Sequence, residues 1–186
     1  MEVIDANQIC AIIAAGDIMH VSYVDAEGLT IVPMNFGFIW DLETSAGHAN
    51  DQTAGLPLSA MPSLPTLYFH SAPIGRKIDA IKAANNALAV AFSLETDCEI
   101  LEGRTLCNWG ESYKSVVGTG VASIVHDLDE ARIGLQALMR QQAHMSNATF
   151  TDQQIQSVQV WKITVDHITA KMRPKPQNMA AHHQSE

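Results

Sequence analysis

The chain has 186 residues, about one domain's worth, and 47% of them are hydrophobic, enough to build a core without disulfides or a structural metal. Eleven basic residues against 20 acidic ones leave a formal net charge of −9. That balance argues against nucleic acid as the main partner, because phosphate contacts dominate such affinity, yet it allows one local basic site for a small phosphate.

Residues 1–16 carry Glu2 and Asp5 and no basic segment, so they do not read as a signal peptide. No stretch approaches the ~18 uninterrupted apolar residues of a membrane span. Cys10, Cys98 and Cys107 are widely spaced with no CxxC pair, the pattern of a reduced, cytoplasmic protein with unpaired thiols. Cys98 and Cys107 could still meet across a hairpin.

Asp5 reads as the N-cap of a helix whose Ile9, Ile12 and Ile13 share one face, stopped at Gly16. A strand over 17–23, the turn Asp25-Ala26-Glu27-Gly28 and a second strand over 29–38 follow. Pro33 inside the second strand points to a sheet edge or a bulge, since it cannot donate to a ladder. Residues 41–65 are rich in Gly, Pro, Ser, Ala and Asn and lose all periodicity, as expected of a loop insertion. The segment 66–71 is a short aromatic strand. It leads into a helix with Ile74, Ile78 and Ile81 as its apolar positions. An apolar strand over 87–94 follows, then a long one over 113–125 in which Gly118 and Gly120 permit strong curvature. Asp127 caps a helix carrying Ala131, Leu135, Leu138 and Met139, Thr151 caps a short one, and 158–172 is the last strand. The polar end, 174–186, reads as a flexible tail behind a single domain over 1–173. Mostly short turns between strands favour a mainly β, antiparallel barrel with helices at its rims.

Gly75-Arg76-Lys77 opens a helix straight after a strand and a tight turn. Free N–H groups and the positive dipole end at such a start suit an anion, and a guanidinium and an ammonium beside them suit a phosphate. On spacing alone, a solvated basic pair at a surface helix is the better reading. Ser71 could add a hydroxyl, although His70 and Ser71 alternate across their strand. His20, His48, His126, His144 and His167 lack the spacing of a zinc site, and His182 and His183, which could bind a metal, read first as part of a disordered end, so no metal is expected. Neither a nucleophile elbow nor a complete dinucleotide fingerprint is present.

Residues 67–85 (LYFHSAPIGRKIDAIKAAN), with 31–38 (IVPMNFGF), 111–122 (ESYKSVVGTGVA) and 160–171 (VWKITVDHITAK), resemble the pyridoxamine 5′-phosphate oxidase-like superfamily. Within it, the nitroimidazole-resistance (Nim-type) flavoproteins are the nearest look-alikes. The resemblance runs from about residue 16 to 173, apart from 41–65. It implies a six-stranded antiparallel split β-barrel (α+β) with flanking helices, assembled as a homodimer with FMN at the subunit interface. Carried over by position, Val32, Pro33, Met34 and Asn35 would line the flavin ring. His70 and Ser71 would sit beside the flavin and its phosphate tail, and Arg76 and Lys77 would hold the phosphate. Ser115 would supply a polar contact and Trp109 an aromatic wall from the other subunit. His70, whose imidazole can carry a proton near neutral pH, is the candidate catalytic residue. The implied chemistry is reduction of a small nitro compound or quinone by FMN, with NAD(P)H as a possible donor. The strand 30–35 lacks the arginine of the vitamin B6 oxidases, which makes that activity doubtful. A non-catalytic FMN or haem module and a deazaflavin-dependent relative remain the alternatives.

Overall fold

The computed structural model describes residues 1–42, 57–61 and 63–175. Most of the expected insertion, most of the expected tail, and His48, His182 and His183 therefore lie outside the described residues. The elements in order are β1 (Glu2–Val3), α1 (Ala6–Ala14), β2 (Ile18–Asp25), β3 (Gly28–Asn35), β4 (Gly37–Ile39) and β5 (Thr66–Ser71). They continue with α2 (Arg76–Ala83), β6 (Leu88–Leu101), β7 (Gly110–Ile124), α3 (Leu128–Ala143), α4 (Asp152–Gln156) and β8 (Gln159–Arg173).

Local chemistry explains many of these boundaries. The Asp5 carboxylate accepts from the Gln8 amide at 2.8 Å and caps α1, whose Ile9, Ile12 and Ile13 are buried. Asp127 caps α3 in the same way, and Thr151 with Gln154 forms a capping box on α4. Pro33 lies in β3, an edge strand paired only with β2, the position in a sheet where a residue without an N–H is tolerated. Ile74 falls before α2 and is exposed; only Ile78 and Ile81 of the expected apolar trio are buried.

The expected six-stranded split β-barrel is corrected by the sheet itself. Eight strands form one antiparallel sheet in the order β3-β2-β6-β7-β8-β5-β4, with β1 added on β8. No ladder joins β3 to β4, so the sheet is not closed into a barrel. Two features of the chain account for the difference. The short amino-terminal strand pairs Glu2 with Lys171 and Val3 with Ala170. The segment read as one strand over 29–38 divides at Phe36, whose fully buried ring turns the chain from β2's partner into β5's partner. The two ends of the sheet are thus linked by one residue of covalent chain and not by hydrogen bonds. β6 and β7 also run further toward their shared hairpin than the apolar pattern suggests. The ladder continues past a register shift between Thr96 and Glu99, where Asp97 takes φ 54°.

Two cores result. The larger lies on the inner face of the sheet, where α1 and α2 contribute Ile9, Ile13, Ile78 and Ile81 against Phe69, Leu94 and Trp161. The smaller lies between α3 and the opposite face of β5 and β8, with Leu135 and Leu138 against Tyr68 and Val160. Gly37 makes this second packing possible: a Cβ there would stand 2.3 Å from the backbone of Ala137 and Leu138. Cys10, Cys98 and Cys107 are free thiols.

Candidate active site at the open edge of the sheet

β5 ends at His70 and Ser71, and after four intervening residues the chain enters α2 at Arg76. Gly75 makes that turn with φ 126° and ψ 162°, a conformation essentially reserved for glycine. The first helical hydrogen bond runs from the Asp79 amide to the Gly75 carbonyl, so the amides of Arg76, Lys77 and Ile78 face outward from the helix start.

The two cations at this helix start occupy opposite environments. Arg76 lays its fork on Asp25, with Nε 2.7 Å from Oδ2 and Nη2 2.8 Å from Oδ1. Its Nη2 also reaches the Gly28 carbonyl at 3.3 Å, and Nη1 stands 3.5 Å from Glu27. The guanidinium beside Asp25 holds that carboxyl below its usual range. Lys77 instead turns inward and is half-buried. Its Nζ lies 3.8 Å from the Met34 sulfur and 5.9 Å from the Trp161 ring centre. Trp161 stacks on Phe69 with centroids 4.2 Å apart and planes 12° from parallel. Among the described residues no carboxylate pairs with Lys77, and burial pushes its ammonium pKa down.

The β3 residues alternate about this point. Val32 and Met34 are half-buried against the larger core, whereas Pro33 and Asn35 are exposed on the other face. His70 is exposed, and the Ser71 hydroxyl donates to the Ala72 carbonyl at 3.1 Å. β4 pairs Gly37 with Tyr68. Continued by two residues, that register would set Asn35 opposite His70, but pairing stops because β3 leaves to join β2. One open edge therefore gathers the end of β3, the end of β5 and the start of α2.

Ser115 and Trp109 are not part of that gathering. Ser115 pairs with Lys171 and His70 with Val160, positions eleven residues apart along β8. At about 3.3 Å per residue this is roughly 35 Å of strand. The Ser115 end also carries exposed Trp109 and a cleft of about 450 Å³ bounded by residues 97–99, 112–114 and 172–175.

Sequence reasoning missed Asp25, Trp161 and Gln142. Asp25 reads only as a turn residue, and nothing near it in the chain announces that α2 lies alongside. Trp161 could have been placed on the inner face by the alternation of β8. Gln142, which accepts from the Asn35 amide at 2.8 Å, has no local signal at all.

A family model described as pyridoxamine 5′-phosphate oxidase matches residues 5–172. The chain belongs to this family. A similar solved structure is that of a candidate 5-nitroimidazole antibiotic resistance protein from Bacteroides thetaiotaomicron VPI-5482, 27% identical with a TM-score of 0.65. The match covers 92% of this chain and 86% of that one. The fold is shared at lower identity by the flavocytochrome Anf3 of Azotobacter vinelandii (15%, TM-score 0.66, covering 94% and 70%). It is shared likewise by an FAD- and heme-binding protein of Mycobacterium smegmatis (13%, TM-score 0.67, covering 94% and 74%). No curated protein matches the chain significantly. Among the described residues no helix is long and apolar enough to cross a membrane, and no group of three or more His, Cys, Asp or Glu could hold a metal ion.

Proposed function

We propose that this member of the family is a homodimeric FMN-binding flavoprotein that reduces a small nitro compound or quinone. The observation that carries the reading is the start of α2. Three outward amides stand at this start, and beside them a half-buried ammonium, with no carboxylate partner among the described residues, reaches Met34 near the end of β3. That donor set fits a phosphate monoester: fixed amides and the dipole favour the anion, and a phosphate would supply the negative charge Lys77 lacks. Arg76 fits it less well, because two of its nitrogens are already committed to Asp25. Lys77 and the amides would therefore hold the phosphate, with the Ser71 hydroxyl turning from Ala72 to join them.

Bound FMN supplies the transfer of electrons from a donor such as NAD(P)H to the acceptor; the chain supplies orientation and proton handling. The end of β3, from Val32 to Asn35, would support the ring. The exposed imidazole of His70 would pass a proton to the reduced acceptor.

The dimer is supported by the outer face of β3, β2, β6 and β7. The ladder sets Pro33, His20, Ser93 and Val117 in one row, and Ile31, Ser22, Ala91 and Thr119 in the next. No Asp, Glu, Lys or Arg stands in either row, and Ile31 and Val117 are more than half exposed (61% and 51%). A second copy on this face would bury it. Ser115 and Trp109 would then reach the flavin from the partner, since their own chain keeps them at the far end of β8.

An absorption spectrum after reconstitution tests the proposal: bands near about 370 and 450 nm are expected, and a Soret band near about 410 nm would indicate haem instead. Colourless protein that takes up no FMN overturns the reading. Lys77→Ala should weaken FMN binding about tenfold or more, and Arg76→Ala less. Unchanged affinity in the Lys77 variant would remove the phosphate seat.

A further inference from the structure

The amide side chains at the end of β3 are oriented by groups that leave no choice. The backbone carbonyls of Asp17 and Phe36 can only accept hydrogen bonds. Gln142, in the last turn of α3, donates to both from Nε2, at 3.1 and 2.9 Å. Its Oε1 must then point the other way, where it accepts from Asn35 Nδ2 at 2.8 Å. Asn35 Nδ2 also reaches the Asp17 carbonyl at 3.3 Å. The Asn35 amino group is thereby committed, and its Oδ1 is left as an acceptor on an exposed residue, with no donor to it among the described residues.

The relay stands on fixed elements. α3 is held against β4 at Gly37, where its backbone approaches too closely for any side chain. Its last turn is tied to the end of α1 by Gln141, whose Nε2 donates to the carbonyls of Ile13, Ala14 and Gly16 at 3.2, 3.0 and 2.7 Å. Neither glutamine can swing without giving up bonds to backbone.

We propose that Gln142 is a positioning residue that commits Asn35 to accept a hydrogen bond from the imide N–H of the flavin ring. The inference rests on the flavin reading above. Oxidised isoalloxazine carries a single N–H, at N3, between two carbonyls that only accept. An acceptor at the end of β3 therefore selects that edge of the ring and repels its neighbouring oxygens. Were the amide reversed, the same position would select a carbonyl.

The test compares FMN with N3-methyl-FMN, which lacks the N–H, by fluorescence titration of the full chain. Wild type should bind the methylated flavin at least tenfold more weakly. Asn35→Ala should bring the two affinities within about threefold of each other. Gln142→Met, which fills the space but cannot hold the Asn35 amino group, should do the same. Equal affinities in the wild type would overturn the inference while leaving the flavin reading intact. A Gln142→Met variant that loses affinity for both flavins equally, keeping the wild-type ratio, would reduce Gln142 to a structural role and also overturn it. If Gln142→Met does not fold, wild type and Asn35→Ala still decide whether Asn35 reads the N–H. Gln142→Glu, which accepts from Asn35 but cannot donate to both carbonyls, then replaces it and should retain part of the discrimination. Failure to bind FMN at all is a separate result, and it sinks the function together with this inference.

Discussion

The outer face of the sheet is finished in two different ways. Across β4, β5 and β8 it is sealed by α3, with Gly37 and Gly134 letting helix and strands approach. The Glu130 carboxylate there accepts from Lys162 at 2.5 Å and from the Tyr68 hydroxyl at 3.3 Å. Across β3, β2, β6 and β7 the same face is bare and, apart from His20, apolar or small over two full rows, with no Asp, Glu, Lys or Arg in them. The covered part obtains its burial within the chain and must be built at backbone distance. The bare part keeps side chains that a helix would cover, and in the proposed dimer a second copy covers them. The candidate site lies where the two treatments meet, at the break between β3 and β4.

The largest expected effect comes from unsealing the covered part. Gly37→Val should cost about 3 kcal/mol or more, because its side chain meets the helix backbone and not a movable rotamer. Denaturant melts measure this. If the cost is under about 0.5 kcal/mol, α3 is not held as described.

Charging the bare part should do the opposite. Ile31→Glu or Val117→Lys should leave the fold of each copy within about 0.5 kcal/mol of wild type while dissociating the proposed dimer, as read by analytical ultracentrifugation. A variant that stays dimeric would show that the pairing uses another surface.

The covered part also has a smaller, pH-dependent signature. Burial and then Glu130 push the Tyr68 hydroxyl from 10.0 up to about 12. The folded state holds this proton more tightly than the unfolded chain does. The contribution is therefore complete below pH 10 and is lost as pH rises toward 12. Tyr68→Phe should lose less stability than wild type over that window in urea melts, and identical losses would contradict the assignment.

The smallest effect belongs to the turn beside the site. The Asp25 carboxyl is lowered by Arg76, so the pair contributes above its ordinary value of 3.8 and fades as pH falls below that. Asp25→Asn should be slightly less stable than wild type at pH 7 and indistinguishable in strong acid. It should also free the Arg76 fork, so that FMN binding tightens or holds; weaker binding would mean Asp25 positions Arg76 for the phosphate.

Much of the fold can be read in the chain because the relevant forces act locally. Asp5 and Asp127 cap helices through amides three residues on, and Pro33 marks an edge because it has no N–H. The alternation within β7 separates its inner from its outer residues. For the site, the chain alone points to Gly75-Arg76-Lys77 and to the β3 and β5 residues as candidates. It does not say that the neighbouring cations part company.

The order of the helices and of the longer strands, the caps, the edge character of β3 and the family resemblance were determined by sequence, since each depends on residues a few positions apart or on a pattern along the chain. Tertiary structure decided that the strand over 29–38 breaks at Phe36 and that the sheet stays open. It also turned Arg76 to Asp25 and Lys77 to Met34 and Trp161, and it brought Gln142 to Asn35 from 107 residues away. These contacts depend on which surfaces meet when the sheet curls, and no local periodicity encodes that.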